Sequence, residues 1–227
     1  MSKVIGIIQA RLGSTRLPYK MMLSLHSKPI VEWVVRRVQK SKLLDDIVVA
    51  IPISEENDLL EKYIKELDIK VYRGSEVNVL ERFYESVKDK NCDKIVRICA
   101  DNPLIDGNEI DNLIRFYENS SCDYAYNHIP KNNMYPDGLG AEIISFDILE
   151  YLYKTVVSQH HKEHCLSYIV DNEDKFVIKT FDPLEIALHH PDMRFDVDTF
   201  DDYQKLCMKN FDINVSSQDL IKLFTEH

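Results

Sequence analysis

Lys3-Val4-Ile5-Gly6-Ile7-Ile8-Gln9-Ala10-Arg11-Leu12-Gly13-Ser14-Thr15-Arg16-Leu17-Pro18-Tyr19-Lys20 joins two kinds of chain. Lys3 to Ile8 is a short β-branched apolar run, the pattern of a strand covered on both faces. At Gln9 the apolar character stops, and Arg11, Arg16 and Lys20 crowd around a Gly-Ser-Thr turn. A buried first strand running into a basic loop suits an open α/β sheet, where ligands sit beyond the carboxyl ends of strands.

The chain downstream keeps that rhythm. Pro29 opens a helix carrying Ile30, Trp33, Val34 and Val38, and Asp46 to Ile51 forms a second strand. Ser54 with Glu55, Glu56 and Asp58 starts a helix that presents Leu59, Leu60, Tyr63, Ile64 and Leu67. Ile69 to Tyr72 is a third strand, and Ser75 with Glu76 starts a helix through Leu80, Phe83, Tyr84 and Val87. Lys94 to Ile98 is a fourth strand, followed by a helix from about Asp106 to Tyr117. Strands alternating with such helices predict βαβ units around a mostly parallel sheet.

From Tyr124 the rhythm breaks. Asn127 to Gly140 reads as a long loop rich in Pro, Asn, Asp and Gly, a kind that is often functional. Ala141 to Phe146 suits a strand, Asp147 to Val157 a helix, Gln159 to His164 a helix or loop, and Phe176 to Phe181 a strand. Arg194 to Asp198 reads as a short strand end before two C-terminal helices. No repeat, low-complexity tract or linker marks a boundary, so residues 1–227 are expected to form a single domain.

Composition narrows the function classes. The 44% apolar and 29% charged fractions are those of a globular protein. No apolar run approaches the length of a membrane span, and the N-terminus suits a strand better than a signal peptide, so a cytoplasmic protein without membrane insertion is expected. With 28 Lys and Arg against 38 Asp and Glu, the net charge of -10 argues against a nucleic-acid partner. Cys92, Cys99, Cys122, Cys165 and Cys207 are scattered, as expected of small buried or half-buried hydrophobes, and form neither a disulfide framework nor a structural zinc site.

An anion site therefore needs local cations. A triphosphate carries about four negative charges, and Arg11, Arg16, Lys20 and loop N–H groups neutralise much of that. Neither a G-x-x-x-x-G-K-[ST] loop nor a G-x-G-x-x-G turn is present, which counts against a P-loop kinase and a Rossmann dehydrogenase. Asp101 follows the fourth strand, while Asp196 and Asp198 share one face of an extended segment. Carboxylates beside a triphosphate suit Mg2+, although Asp101 and Asp198 also stand where turn or helix-capping residues do. His160, His161 and His164 have a spacing compatible with a general base, a zinc-like site or plain surface histidines, and His189-His190 before Pro191 reads as a turn.

The string from Ile8 to Pro18 resembles the opening motif of bacterial cytidylyltransferases. These include the 3-deoxy-manno-octulosonate and acylneuraminate enzymes and the spore-coat polysaccharide biosynthesis protein F family. Arg73-Gly74-Ser75-Glu76, the segment Arg97 to Asp106, Tyr135-Pro136-Asp137-Gly138-Leu139 and Val197-Asp198-Thr199 match the spore-coat type in the same order. The resemblance implies a Rossmann-like, three-layer nucleotide-diphospho-sugar transferase fold. It also implies a homodimer, with about 127–190 as an acceptor-side and dimerisation extension.

By the same resemblance, CMP passes from CTP to a sugar or sugar-phosphate acceptor with Mg2+, pyrophosphate leaves, and the product serves surface polysaccharide synthesis. Arg11, Lys20 and Asp101 would be catalytic. Ala10, Leu12, Gly13, Ser14, Arg16, Arg73, Gly74, Ser75, Arg82 and Ala100 would line the nucleotide; Asp137, Glu142 and His164 would face the acceptor. Asp101 and Asp198, with Asp196, would hold the metal. Tyr19 and Ala100 depart from the family, which usually has Gly before the triphosphate Lys and often Gly before the metal Asp. The alternatives are an inactive nucleotide- or sugar-binding scaffold and a transferase using another nucleoside triphosphate.

Overall fold

The computed structural model describes residues 2–226. The central strand β1 (Val4–Gln9) leads through the basic loop and a 3-10 turn to a two-stranded hairpin, β2 (Ser24–Leu25) and β3 (Lys28–Pro29). Then come α1 (Ile30–Val38), β4 (Asp46–Pro52), α2 (Asp58–Glu66), β5 (Lys70–Gly74), α3 (Val79–Val87), β6 (Lys94–Cys99) and α4 (Gly107–Asn119). The chain continues with β7 (Tyr124–Tyr126), β8 (Glu142–Ser145), α5 (Phe146–Thr155), α6 (Gln159–Glu163), α7 (Ser167–Val170) and β9 (Ile178–Thr180). It closes with α8 (Phe200–Cys207) and α9 (Ser217–Thr225).

The main sheet has the order β5-β4-β1-β6-β8-β7-β9. β5, β4, β1 and β6 are parallel, β8 runs against both β6 and β7, and β9 is parallel to β7. The result is the expected α/β, mostly parallel, three-layer architecture. Val4 and Ile8 point into one core with α1, α2 and α4, while Ile5 and Ile7 point into the other with α3, α5 and α7. Helices on both faces explain why β1 has no polar alternation. No helix among the described residues is long and apolar enough to cross a membrane.

Several local expectations change. The helix after Ser75 begins only at Val79, because Asn78 takes the capping position and its side chain accepts from Glu81 N at 3.0 Å. β7 has only three residues, too few for a periodic signal, yet it lies inside the sheet between β8 and β9. Arg194 to Asp198 makes only one bridge, Arg194 with Asp137, rather than a strand. Leu59 and Cys207 are exposed: Leu59 faces away from the α2 stripe formed by Leu60 and Ile64, and Cys207 ends α8. Asn127 to Gly140 is the loop between β7 and β8, and His189-His190 forms a turn.

One buried polar anchor and one close helix contact fix the base on which the site rests. Arg37 of α1 donates from Nε to Ile105 O at 2.7 Å and from Nη1 to Val215 O at 2.9 Å, tying the loop after β6 to the C-terminal segment. Gly107, at the start of α4, lets α4 approach the end of α1. A Cβ there would lie 2.5 Å from Ser41 N and 2.9 Å from Arg37 O, both backbone atoms that yield poorly. Gly107→Ala is expected to lower stability by roughly 1–3 kcal/mol in urea unfolding, as overpacking does. Asn108→Ala, one exposed residue further on, should change it by less than about 0.5 kcal/mol.

Candidate active site

Parallel pairing aligns Gln9 with Cys99, so the loops leaving β1 and β6 emerge side by side. The first loop folds over Leu12, whose side chain is buried and whose N–H donates to Asn57 Oδ1 at 2.9 Å. Ser14 N and Tyr19 N both donate to Leu12 O, at 2.7 and 3.2 Å, closing a compact turn that returns the chain to Lys20. The second loop carries Ala100 and Asp101. Val197 N donates to Asp101 O at 2.7 Å, which brings the distant Asp198 alongside.

Lys20 is the meeting point. Its nearly buried ammonium lies 2.9 Å from Val197 O, 3.2 Å from Asp198 Oδ1 and 3.4 Å from Asp101 Oδ2. Three donors thus meet three acceptors. Arg16 Nη2 lies 2.9 Å from Asp198 Oδ1. The resulting cleft is lined by Gln9, Ala10, Arg11, Ser14, Thr15, Arg16, Lys20, Met21, Arg97, Cys99, Ala100, Asp101 and Asp198.

Arg97, not singled out in the sequence, forms part of this lining. Its Nε and Nη2 reach Gln9 Oε1 at 3.4 and 3.3 Å, and Nη1 pairs with Glu142. Glu142 also accepts from Tyr124 OH at 2.6 Å and is nearly fully buried. The Arg97 and Tyr124 bonds hold the Glu142 carboxyl below its ordinary range against the cost of burial. Glu142 therefore braces Arg97 instead of presenting a free carboxylate to an acceptor.

Other expected residues stand apart from the cleft. Arg73 is locked at the end of β5 by Asp58 and Glu61 at 2.6 and 2.7 Å and by the carbonyls of Ile53 and Ser54. Gly74 and Ser75 belong with Arg82: a Cβ on Gly74 would meet the Arg82 stem at 3.0 Å, and Ser75 O accepts from Arg82. Asp196 is gripped by Arg194, and its outer oxygen lies 2.6 Å from Nη2. Leu12 and Gly13 shape the loop without lining the cleft, and His164 is exposed beyond α6 with its ring 4.8 Å from that of His160.

Residues 5–221 match the profile of the cytidylyltransferase family. The chain belongs to the cytidylyltransferase family. It is 38% identical, over 96% of its length and 89% of the relative, to the uncharacterized protein MJ1063 of Methanocaldococcus jannaschii. It is 29% identical to the spore coat polysaccharide biosynthesis protein SpsF of Bacillus subtilis, over 91% of this chain and 85% of that one. The structure of a cytidylyltransferase from Leptospira borgpetersenii superposes with a TM-score of 0.89 at 29% identity, covering 99% of this chain and 94% of that chain. As a cytidylyltransferase, the protein is a CTP-dependent nucleotidyltransferase.

Membership in this cytidylyltransferase family clarifies Tyr19. Its backbone is left-handed, with φ 55° and ψ 22°, where glycine is at ease and a side chain costs about 1–2 kcal/mol. The loop thus keeps the path that a glycine would give it, and the exposed ring points outward. Tyr19→Gly should be neutral or slightly stabilising in thermal unfolding, because glycine's entropy cost of about 0.5–1 kcal/mol offsets part of the relief. Tyr19→Val should destabilise. Equal losses in both variants would show that ring packing, not backbone, sets this position.

The cytidylyltransferase cleft has an acidic flank. Asp137 lies in the loop whose backbone pairs with residues 193–195, and at Gly138, with φ 94°, a Cβ would lie 2.9 Å from Asp196 N. Burial, reinforced by Asp196, Asp101 and Asp198, pushes the Asp137 carboxyl from 3.8 to about 6. The folded state then binds a proton more tightly than the unfolded chain, so stability falls as pH rises from about 4 through 6. Asp137→Asn should add on the order of 2 kcal/mol at pH 7.5 and almost nothing at pH 3.5. Urea unfolding at the two pH values measures the difference.

Proposed function

We propose that this protein transfers CMP from CTP to a hydroxyl or phosphate oxygen of a sugar or sugar-like acceptor, releasing pyrophosphate, in surface polysaccharide synthesis. The convergence of Arg11, Arg16, Lys20 and Arg97 with Asp101 and Asp198 in one cleft carries this reading. The polysaccharide role is supported by the name of SpsF, and the segment 127–190 is the proposed acceptor-side and dimerisation element.

The acceptor oxygen attacks the α-phosphorus, an O–P bond forms, and the bond to the bridging oxygen of pyrophosphate breaks. Arg11 and Lys20 hold the triphosphate and take up the charge of the leaving group, with Arg16 assisting. Asp101 and Asp198 each bring a hard oxygen to the Lys20 ammonium, which fits them to hold Mg2+ together; Asp196, engaged by Arg194, is the less available third ligand. Mg2+ bound there would supply charge neutralisation at the α-phosphate. Asp137 faces the acceptor beside these carboxylates.

The test is pyrophosphate release from CTP and Mg2+ with a panel of acidic sugars and sugar phosphates, with UTP, ATP and GTP as competitors. Asp101→Asn should cut turnover by about 100- to 1,000-fold while the protein still unfolds as a single cooperative transition. Full activity in that variant would remove Asp101 from the mechanism. CTP binding without pyrophosphate release from any acceptor would favour the inactive scaffold, and preference for another nucleotide would displace CTP.

A further inference from the structure

Three histidines within five residues, His160, His161 and His164, find no part in the cleft. We propose that the corner between α6 and α7 is a separate binding site for a late first-row divalent cation such as zinc, held by His160, His161 and Asp171.

The sequence alone offered only imidazoles on one short helix. The fold adds a carboxylate from the far end of α7: one donor atom each of His160, His161 and Asp171 lies within 4.8 Å of the others. Asp171 Oδ2 is 3.8 Å from His161 Nδ1, too far for a hydrogen bond but suited to sharing a central ion. The ring centroids of His160 and His161 are 5.2 Å apart, so neither ring blocks the other. Ser167 Oγ, 2.8 Å from the same His161 Nδ1, holds that nitrogen without an ion and has to turn aside for Nδ1 to ligate one, since one ring nitrogen cannot serve both.

The corner is built independently of these side chains. Ser167 N donates to His164 O at 2.7 Å and Asp171 N to Ser167 O at 2.8 Å, while Cys165 and Leu166 are buried beneath the turn. Two imidazoles and one carboxylate suit zinc, nickel or copper and do not suit Mg2+, which prefers oxygen ligands. His160 and Asp171 are exposed, so an ion has direct access and room to keep water. Gln159 Nε2 donates to Val77 O at 2.9 Å, so the corner rests against the loop that precedes α3, and a bound cation would pin α6 and α7 together there.

The test uses the full chain and zinc chloride as the only titrant, by calorimetric titration in a buffer that does not chelate. With Mg2+ in excess to occupy the cleft carboxylates, one equivalent of zinc should bind and raise the melting temperature. His160→Ala and His161→Ala should each weaken binding at least about tenfold, with a smaller loss for Asp171→Asn. Asp101→Asn and Asp198→Asn should leave zinc affinity unchanged, which separates this site from the cleft. His189→Ala is the control for a generic surface histidine. Co2+ should give a visible absorption band that is lost in the His160→Ala/His161→Ala double variant. Unchanged zinc uptake in that double variant, loss of uptake with Asp101→Asn, or no uptake at micromolar zinc would each overturn the proposal.

Discussion

A single ammonium organises the cleft. Lys20 reaches Asp101, 81 residues away, and Val197 and Asp198, more than 170 residues away, so three separate chain segments have one point of closure. Removing a nearly buried ammonium from water is costly unless each N–H finds an acceptor. Here each one does. The loop leaving β1 must therefore bend back over Leu12, and the segment around Val197 must dock on the Asp101 carbonyl, for the charge to be tolerated at all. Tyr19 takes a left-handed backbone at the position that aims Lys20 inward, so part of the strain in this loop serves the same contact.

The parallel half was readable because its signals are local. The apolar runs of β1, β4 and β6, Pro29 at the start of α1 and the Asp106 cap of α4 act within a few positions, and the observed elements follow them closely. What escaped depends on partners far along the chain. β7 is a strand only because β8 and β9 flank it; Tyr124-Ala125-Tyr126 has no alternation to announce that. Arg97 opens a matching segment but carries no expected role, and its place in the cleft lining is fixed by the antiparallel approach of β8, which delivers Glu142. Arg73 shows the reverse situation. It belonged to a recognisable motif, yet Asp58 and Glu61 of α2 claim its guanidinium. The basic loop and its two carboxylates were found, but their convergence on Lys20 was not written in any spacing.

Arg97 and Glu142 largely cancel, so the charge that decides the cleft's behaviour comes from its two flanks. On one side Arg11 stands near Arg82, a buried guanidinium that Ser75 O alone accepts from, with no carboxylate at ion-pair distance among the described residues; burial lowers it to about 10. That flank is short of anions. On the other side Asp101, Asp137, Asp196 and Asp198 crowd together, and their repulsion adds to the burial that raises Asp137. Lys20 and Arg16 now compensate Asp198 and, through Lys20, Asp101. In the proposed reading, a triphosphate drawn to the basic flank would compete for those same two cations and strip the carboxylates of their counter-charge. Binding of an anion on one flank and of a cation on the other would then be coupled free energies, each favouring the other. The coupling needs no conformational switch: it follows from two opposite charge imbalances bridged by one shared lysine.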